Sequence, residues 1–196
     1  MIVLLDNGHG RETSGKRSPD GELREYAWTR EMARMIQEEL SGRNIESILV
    51  TPEEEDIDIN TRVKRVNVYC EDYGTDNCLL ISLHNNAAGD GSEWMTGTGW
   101  EDYVSLNASE KSKYLATVLC EAAYTEELKV RRYSSSQFYK TKNLGICRDT
   151  KCAAVLTENL FMDNKEDYEY LLSDEGKAAI CNLHVAGIID YMEMYA

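Results

Sequence analysis

Several residue types are scarce in this chain, and each scarcity excludes something. Two prolines, Pro19 and Pro52, occur in 196 residues, and no low-complexity stretch or internal repeat is present. Proline-rich linkers and repeat arrays are therefore excluded. No apolar run approaches the ~20 residues of a membrane span. The six cysteines, Cys70, Cys78, Cys120, Cys147, Cys152 and Cys181, contain no C-x-x-C pair, which argues against a zinc knuckle or redox dithiol. They read as buried free thiols that pack as small hydrophobes. Cations are in the minority, 21 against 35 acidic residues, for a net charge of −14. Such a surface repels phosphate backbones, so nucleic acid is excluded as a partner, and anionic lipid is disfavoured.

What is present describes a soluble globule: 42% hydrophobic and 29% charged residues. The length suits one well-packed domain, residues 1–196, with no separate binding module. A monomer is expected. Met1 runs straight into an apolar segment without a basic leader, so the expectation is a protein made without a signal peptide.

Hydrophobic patterning predicts strands alternating with helices. Ile2 to Leu5, "IESILVT" (45–51), "CLLISLH" (78–84), "GTGWEDYVS" (97–105), "LGIC" (144–147) and "AAVLTENLF" (153–161) read as strands. Helical spacing runs from about Glu22 to Leu40, through 59–70, through 109–124 and along the C-terminal segment. The order implies an α/β fold: a three-layer αβα domain whose mostly parallel, twisted sheet of about six strands carries helices on both faces. Ligands of such sheets gather at the carboxyl ends of the strands.

The unusual residues fall at that edge. His9 follows the first strand in "DNGHG", His84 ends another, and Glu158 ends a third. Glu25 sits in the first turns of the first helix, close to the loop that carries His9. Two imidazoles and a carboxylate with an open fourth position suit catalytic zinc, and a further carboxylate can move a proton. Each residue alone has a plainer reading. His9 can be a turn residue, and Glu25 a helix-start carboxylate favoured by the dipole. Glu158 is harder to explain away, because a desolvated carboxylate is costly unless paired. On the residues alone, both readings stand. His184, within "CNLHVAG" on the last helix, has no carboxylate companion and reads as structural.

Taken together, the motifs resemble those of the zinc-dependent N-acetylmuramoyl-L-alanine amidases of autolysins and endolysins. "DNGHG" (6–10) matches a D-x-G-H-G turn, and "GELRE" (21–25) matches a G-x-L-x-E context. "SLHNNA" (82–87) and "AVLTENLFMDN" (154–164) match the second histidine segment and the late glutamate strand, and "INTRVKRVN" matches a helix through Arg62 and Asn67. Asn7 stands where proline is common. Glu22, three residues before Glu25, competes for the ligand role, but Glu25 keeps the offset from Leu23. The similarity runs from residue 2 to about residue 192.

The resemblance implies hydrolysis of the amide between N-acetylmuramic acid and L-alanine in peptidoglycan. One Zn²⁺ would be held by His9, Glu25 and His84, the metal-bound water would be the nucleophile, and Glu158 the general base and acid. Asn86 and Arg148 are the implied substrate-binding residues. Arg11, Lys16 and Arg17 are further cations within reach of stem-peptide carboxylates, or else solvated charges. Trp94 and Trp100 can stack on sugars or pack in the core. A leaderless chain of this kind fits an endolysin that is cytoplasmic until release and then acts on the cell wall. A non-catalytic wall binder and a stem-peptide zinc peptidase are the competing classes.

Overall fold

The first strand, β1 (Ile2–Asn7), is buried along its whole length, as a strand covered on both faces must be. In the computed structural model, which describes residues 1–196, β1 lies between β2 (Ser47–Leu49) and β3 (Cys78–Asn86), parallel to both. β6 (Ala153–Phe161) continues the parallel set beside β3. β4 (Glu101–Val104) then pairs antiparallel with β6, and the two-residue β5 (Lys140–Thr141) closes the edge, for the order β2-β1-β3-β6-β4-β5.

Helices cover both faces. α1 (Glu25–Ser41), α3 (Glu110–Thr125), α5 (Lys165–Leu172) and α6 (Asp174–Tyr195) pack on one face over the larger apolar cluster, which includes Leu5, Leu83, Val155 and Ile180. α2 (Ile59–Tyr73) and the single-turn α4 (Gly145–Arg148) cover the other face over a smaller cluster with Leu4, Leu80, Ala154 and Leu156. Local chemistry sets the helix starts. The side chains of Asp58, Ser109, Asn164 and Ser173 each accept from a backbone N–H of the first turn of α2, α3, α5 and α6 respectively. No helix is long and apolar enough to cross a membrane.

The sequence reading needs three corrections. "LGIC" is not a strand. Gly145–Arg148 form α4, whose Ile146 and Cys147 are buried against the smaller core, and short apolar runs do not reveal their period. The sixth strand is instead Lys140–Thr141, too short and polar to show a pattern. The C-terminal helix through Ala178 and Ile189 is α6 as read, but a separate helix, α5, precedes it unread; Ser173, in extended backbone, ends α5 and caps α6. All six cysteines are buried and free, as expected.

Candidate metal centre and active-site cleft

The turn after β1 is fixed from below. Asp6 is buried and accepts from Arg62 (2.9 Å), Ser82 Oγ (2.6 Å) and Thr51 Oγ1 (3.2 Å). Arg62, on α2, also donates to the carbonyls of Ile57 and Asn7. Arg30, on α1, donates to the His9 carbonyl at 3.1 Å. Between these guanidiniums His9 is held at φ 58°, a left-handed conformation that costs a non-glycine residue energy and persists only where its surroundings impose it. Arg62→Met is expected to leave the Asp6 carboxylate buried and unpaired. The cost should be about 3–5 kcal/mol, visible as a fall in the midpoint of chemical denaturation.

Gly8 is required for another reason. A Cβ at this position would lie 2.4 Å from His84 Nδ1. Gly8→Ala is therefore expected to displace the His84 ring and weaken metal binding at least tenfold with little loss of fold, measured by competition with a chromophoric chelator.

Three predicted ligands meet here. Glu25 is fully buried at the start of α1 and turns its carboxylate across the sheet edge. Its Oε1 lies 3.1 Å from His84 Nδ1 and 3.6 Å from His9 Nε2, and accepts from the Asn85 backbone N–H at 3.1 Å. One donor atom from each of His9, Glu25 and His84 falls within 4.8 Å of the other two. The histidine rings stand 5.1 Å apart and perpendicular. A tetrahedral zinc shell with bonds of ~2.0–2.1 Å separates its donors by ~3.4 Å, so these spacings fit such an ion. Glu25 Oε2 is buried without a hydrogen-bond partner, an orphaned acceptor that a cation would satisfy. Glu22, the competitor, faces elsewhere and accepts from Tyr168 OH at 2.8 Å.

Charge coupling follows the geometry. Burial lowers the His9 pKa to about 4 despite the Glu25 charge, so His9 is neutral and ready to ligate at pH 7. Burial is the largest single influence on His84 and opposes its cation, but the hydrogen bond to Glu25 together with the charges of Glu25, Glu158 and Asp6 raises that pKa. A proton and a metal ion held by this cluster would therefore compete for His84. Calorimetric titration of zinc into chelator-stripped protein should show proton release and an affinity that falls as pH drops towards 5.

Glu158 stands next to His84, its register partner on the neighbouring strand, so both side chains leave the same face of the sheet. Its Oε2 is buried and unpartnered. Burial, with the nearby Glu25 and Glu101 charges, pushes this carboxyl up to about 7 against the pull of His84 and Lys16. Two steps further along the strand, Leu160 is at φ 62°, and the β3–β6 register shifts between His84 and Asn86. Asn159 bridges the irregularity by donating to the His84 carbonyl at 3.0 Å.

A cleft of about 530 Å³ opens beside the two histidines, lined by His9, His84, Ser82 and Leu156 and walled by residues from the start of α2 and from the 143–146 segment. The two predicted substrate-binding residues are both already partnered within the protein. Asn86 donates to Glu101 Oε1 (2.9 Å) and accepts from Ala87 N–H. Arg148 is exposed, paired with Asp149, and bonded to Asn143, which lines the cleft. Arg11, which pairs with Glu54, lines a separate groove of about 440 Å³ together with Lys16, Arg17 and Arg24. Trp100 is fully buried and donates to Asn159 at 2.9 Å, so it belongs to the core; Trp94 packs edge-on against Tyr168. His184 is buried between Thr157 Oγ1 and the Ile180 carbonyl, a structural residue as read. Asn67 ties α2 to the loop after α4 through Asp149 and Lys151. Sequence reasoning missed Glu101, whose antiparallel pairing sets it beside Glu158.

A family model described as N-acetylmuramoyl-L-alanine amidase matches residues 3–190. The chain belongs to this family. Among curated relatives, the N-acetylmuramoyl-L-alanine amidase CwlM of Bacillus licheniformis is 29% identical over 95% of this chain and 66% of its own length. The endolysin of Bacillus phage SPP1 is 27% identical over 98% of this chain and 66% of its own length. The chain thus spans about two thirds of the length of these relatives. Among solved structures, the N-acetylmuramoyl-L-alanine amidase of Clostridium difficile 630 superposes with a TM-score of 0.84 at 20% identity, covering 100% of this chain and 98% of that one. The three-layer α/β architecture is thus the fold of amidase catalytic domains.

Proposed function

We propose that this chain is a zinc-dependent N-acetylmuramoyl-L-alanine amidase that cuts the amide between the lactyl group of N-acetylmuramic acid and the L-alanine of the peptidoglycan stem peptide. The observation that carries this reading is the convergence of His9, Glu25 and His84 donors within 4.8 Å of one another, beside a buried, unpartnered carboxylate oxygen of Glu158. Membership of the amidase family supplies the bond that is cut.

His9, Glu25 and His84 would hold the ion. When bound, zinc polarises an amide carbonyl and lowers the pKa of water towards ~7. The remaining work falls to Glu158. An amide resists water because its carbonyl is resonance-stabilised and its amine leaves poorly. Glu158 takes the proton of the attacking water and hands it to the departing amine. Burial biases this carboxyl towards its protonated form, which favours the second duty, delivery of a proton to the amine. Asn159 keeps the His84 backbone in place, and the two guanidiniums beneath His9 fix the turn.

Digestion of purified sacculi followed by mass analysis tests the reading. Intact stem peptides with a new L-alanine amino terminus are expected. Shorter peptides would mean a peptidase, and no release a binding domain; either outcome contradicts the proposal.

A further inference from the structure

The cations of this acidic protein are unevenly placed. Between Leu128 and Arg148 there are six, Lys129, Arg131, Arg132, Lys140, Lys142 and Arg148, and no aspartate or glutamate, which leaves 15 cations against all 35 acids for the rest of the chain. Lys140 and Thr141 of this basic segment form β5, the edge strand, which lies beside β4 and two strands from β6, the strand that carries Glu158.

Glu101 organises it. On the sheet face, His84, Glu158 and Glu101 form one row across β3, β6 and β4 by register. Neighbouring strands are ~4.8 Å apart, so Glu101 follows directly on Glu158. Glu101 is buried, and every lone-pair direction is used. Oε1 accepts from Asn86 Nδ2 (2.9 Å) and Tyr103 OH (2.8 Å); Oε2 accepts from Arg131 Nε (2.8 Å) and Lys140 Nζ. Two cations on one carboxylate leave one positive charge in excess. Arg131 is further located by stacking over Phe161 (4.9 Å to the ring centre) and by donating to the Thr98 carbonyl, yet its side chain remains 39% exposed. Both cations are thus fixed in position with donors left over for a ligand.

We propose that Arg131 and Lys140, clamped by Glu101, form a cationic subsite that binds a free carboxylate on the stem peptide, so that the protein discriminates acidic from amidated peptides. The subsite rests on the amidase reading above. Its reach fits: two residues of extended peptide span about 7 Å, about one and a half strand spacings, which places a carboxylate on the second amino acid just past Glu101 when the scissile amide lies at Glu158. Arg131 and Lys140 are binding residues; Glu101 is a positioning residue that acts through them.

The test uses two soluble muramoyl peptides, identical except that the carboxylate of the second amino acid is free in one and a primary amide in the other. Wild type is expected to favour the free carboxylate at least tenfold in kcat/KM, chiefly through KM, as the loss of a charged hydrogen-bond partner implies. In R131M/K140M, and separately in Glu101→Gln, that ratio should fall to near one. A purely structural role for Glu101 would change both rates together and leave the ratio intact. Turnover of both substrates without a preference in wild type, or a preference that survives R131M/K140M, overturns the subsite while leaving the amidase reading standing. Turnover of neither substrate overturns both.

Discussion

Glu158→Ala is expected to keep one zinc per chain and to lose about 10²- to 10⁴-fold in turnover on sacculi, the range that positioned general acid–base catalysis supplies. The expectation follows from the separation of roles along the sheet edge. Glu158 shares a face with His84 but contributes no atom to the donor cluster of His9, Glu25 and His84. On the proposed roles, its removal takes away the proton carrier and spares the ligands. It also relieves strain: a carboxyl pushed up to about 7 by burial is costly to ionise, so its loss should not destabilise the fold. Glu158→Gln is the sharper control, since it keeps the shape and removes only the basicity. Metal content and initial rate, measured on the same preparation, check the result. Full turnover in either variant would assign the proton transfer elsewhere.

The second large effect is expected at a ligand. His84→Ala should abolish stoichiometric zinc binding and turnover together, because it removes one of three donors and leaves Glu25, fully buried, without its main partner. Folding should suffer as well. An uncompensated buried carboxylate costs about 3–5 kcal/mol, which a thermal melt will register. The pair of variants is diagnostic. One separates metal from turnover and the other loses both. Zinc retained at wild-type affinity in His84→Ala would contradict the ligand assignment.

Much of this site is legible in the sequence because its residues sit where patterning is strong. β1, β3 and β6 each open on an apolar run, and a polar residue that follows such a run within the strand, such as His84 or Glu158, stands out against it. Glu25 stands out for a related reason: a glutamate opens α1 without capping it, and its burial is explained only by the site. Glu101 was not legible. It lies in a four-residue strand that reverses direction, and its neighbour Glu158 is 57 positions away, so only the pairing register brings them side by side. The misread 144–147 segment shows the other limit. Four apolar residues between turns fit a strand or a helical turn equally well, and the packing of Ile146 and Cys147 against the smaller core decides the matter. Trp100 carried no signal to separate a sugar platform from a core residue; its hydrogen bond to Asn159 does so.

The most direct test is a crystal structure of the zinc-loaded protein with diffraction data collected on both sides of the zinc absorption edge. One anomalous peak, within bonding distance of His9, Glu25 and His84 and beside Glu158, is the predicted result. A catalytically active protein whose zinc lies away from these three side chains, or that holds none, would contradict the account.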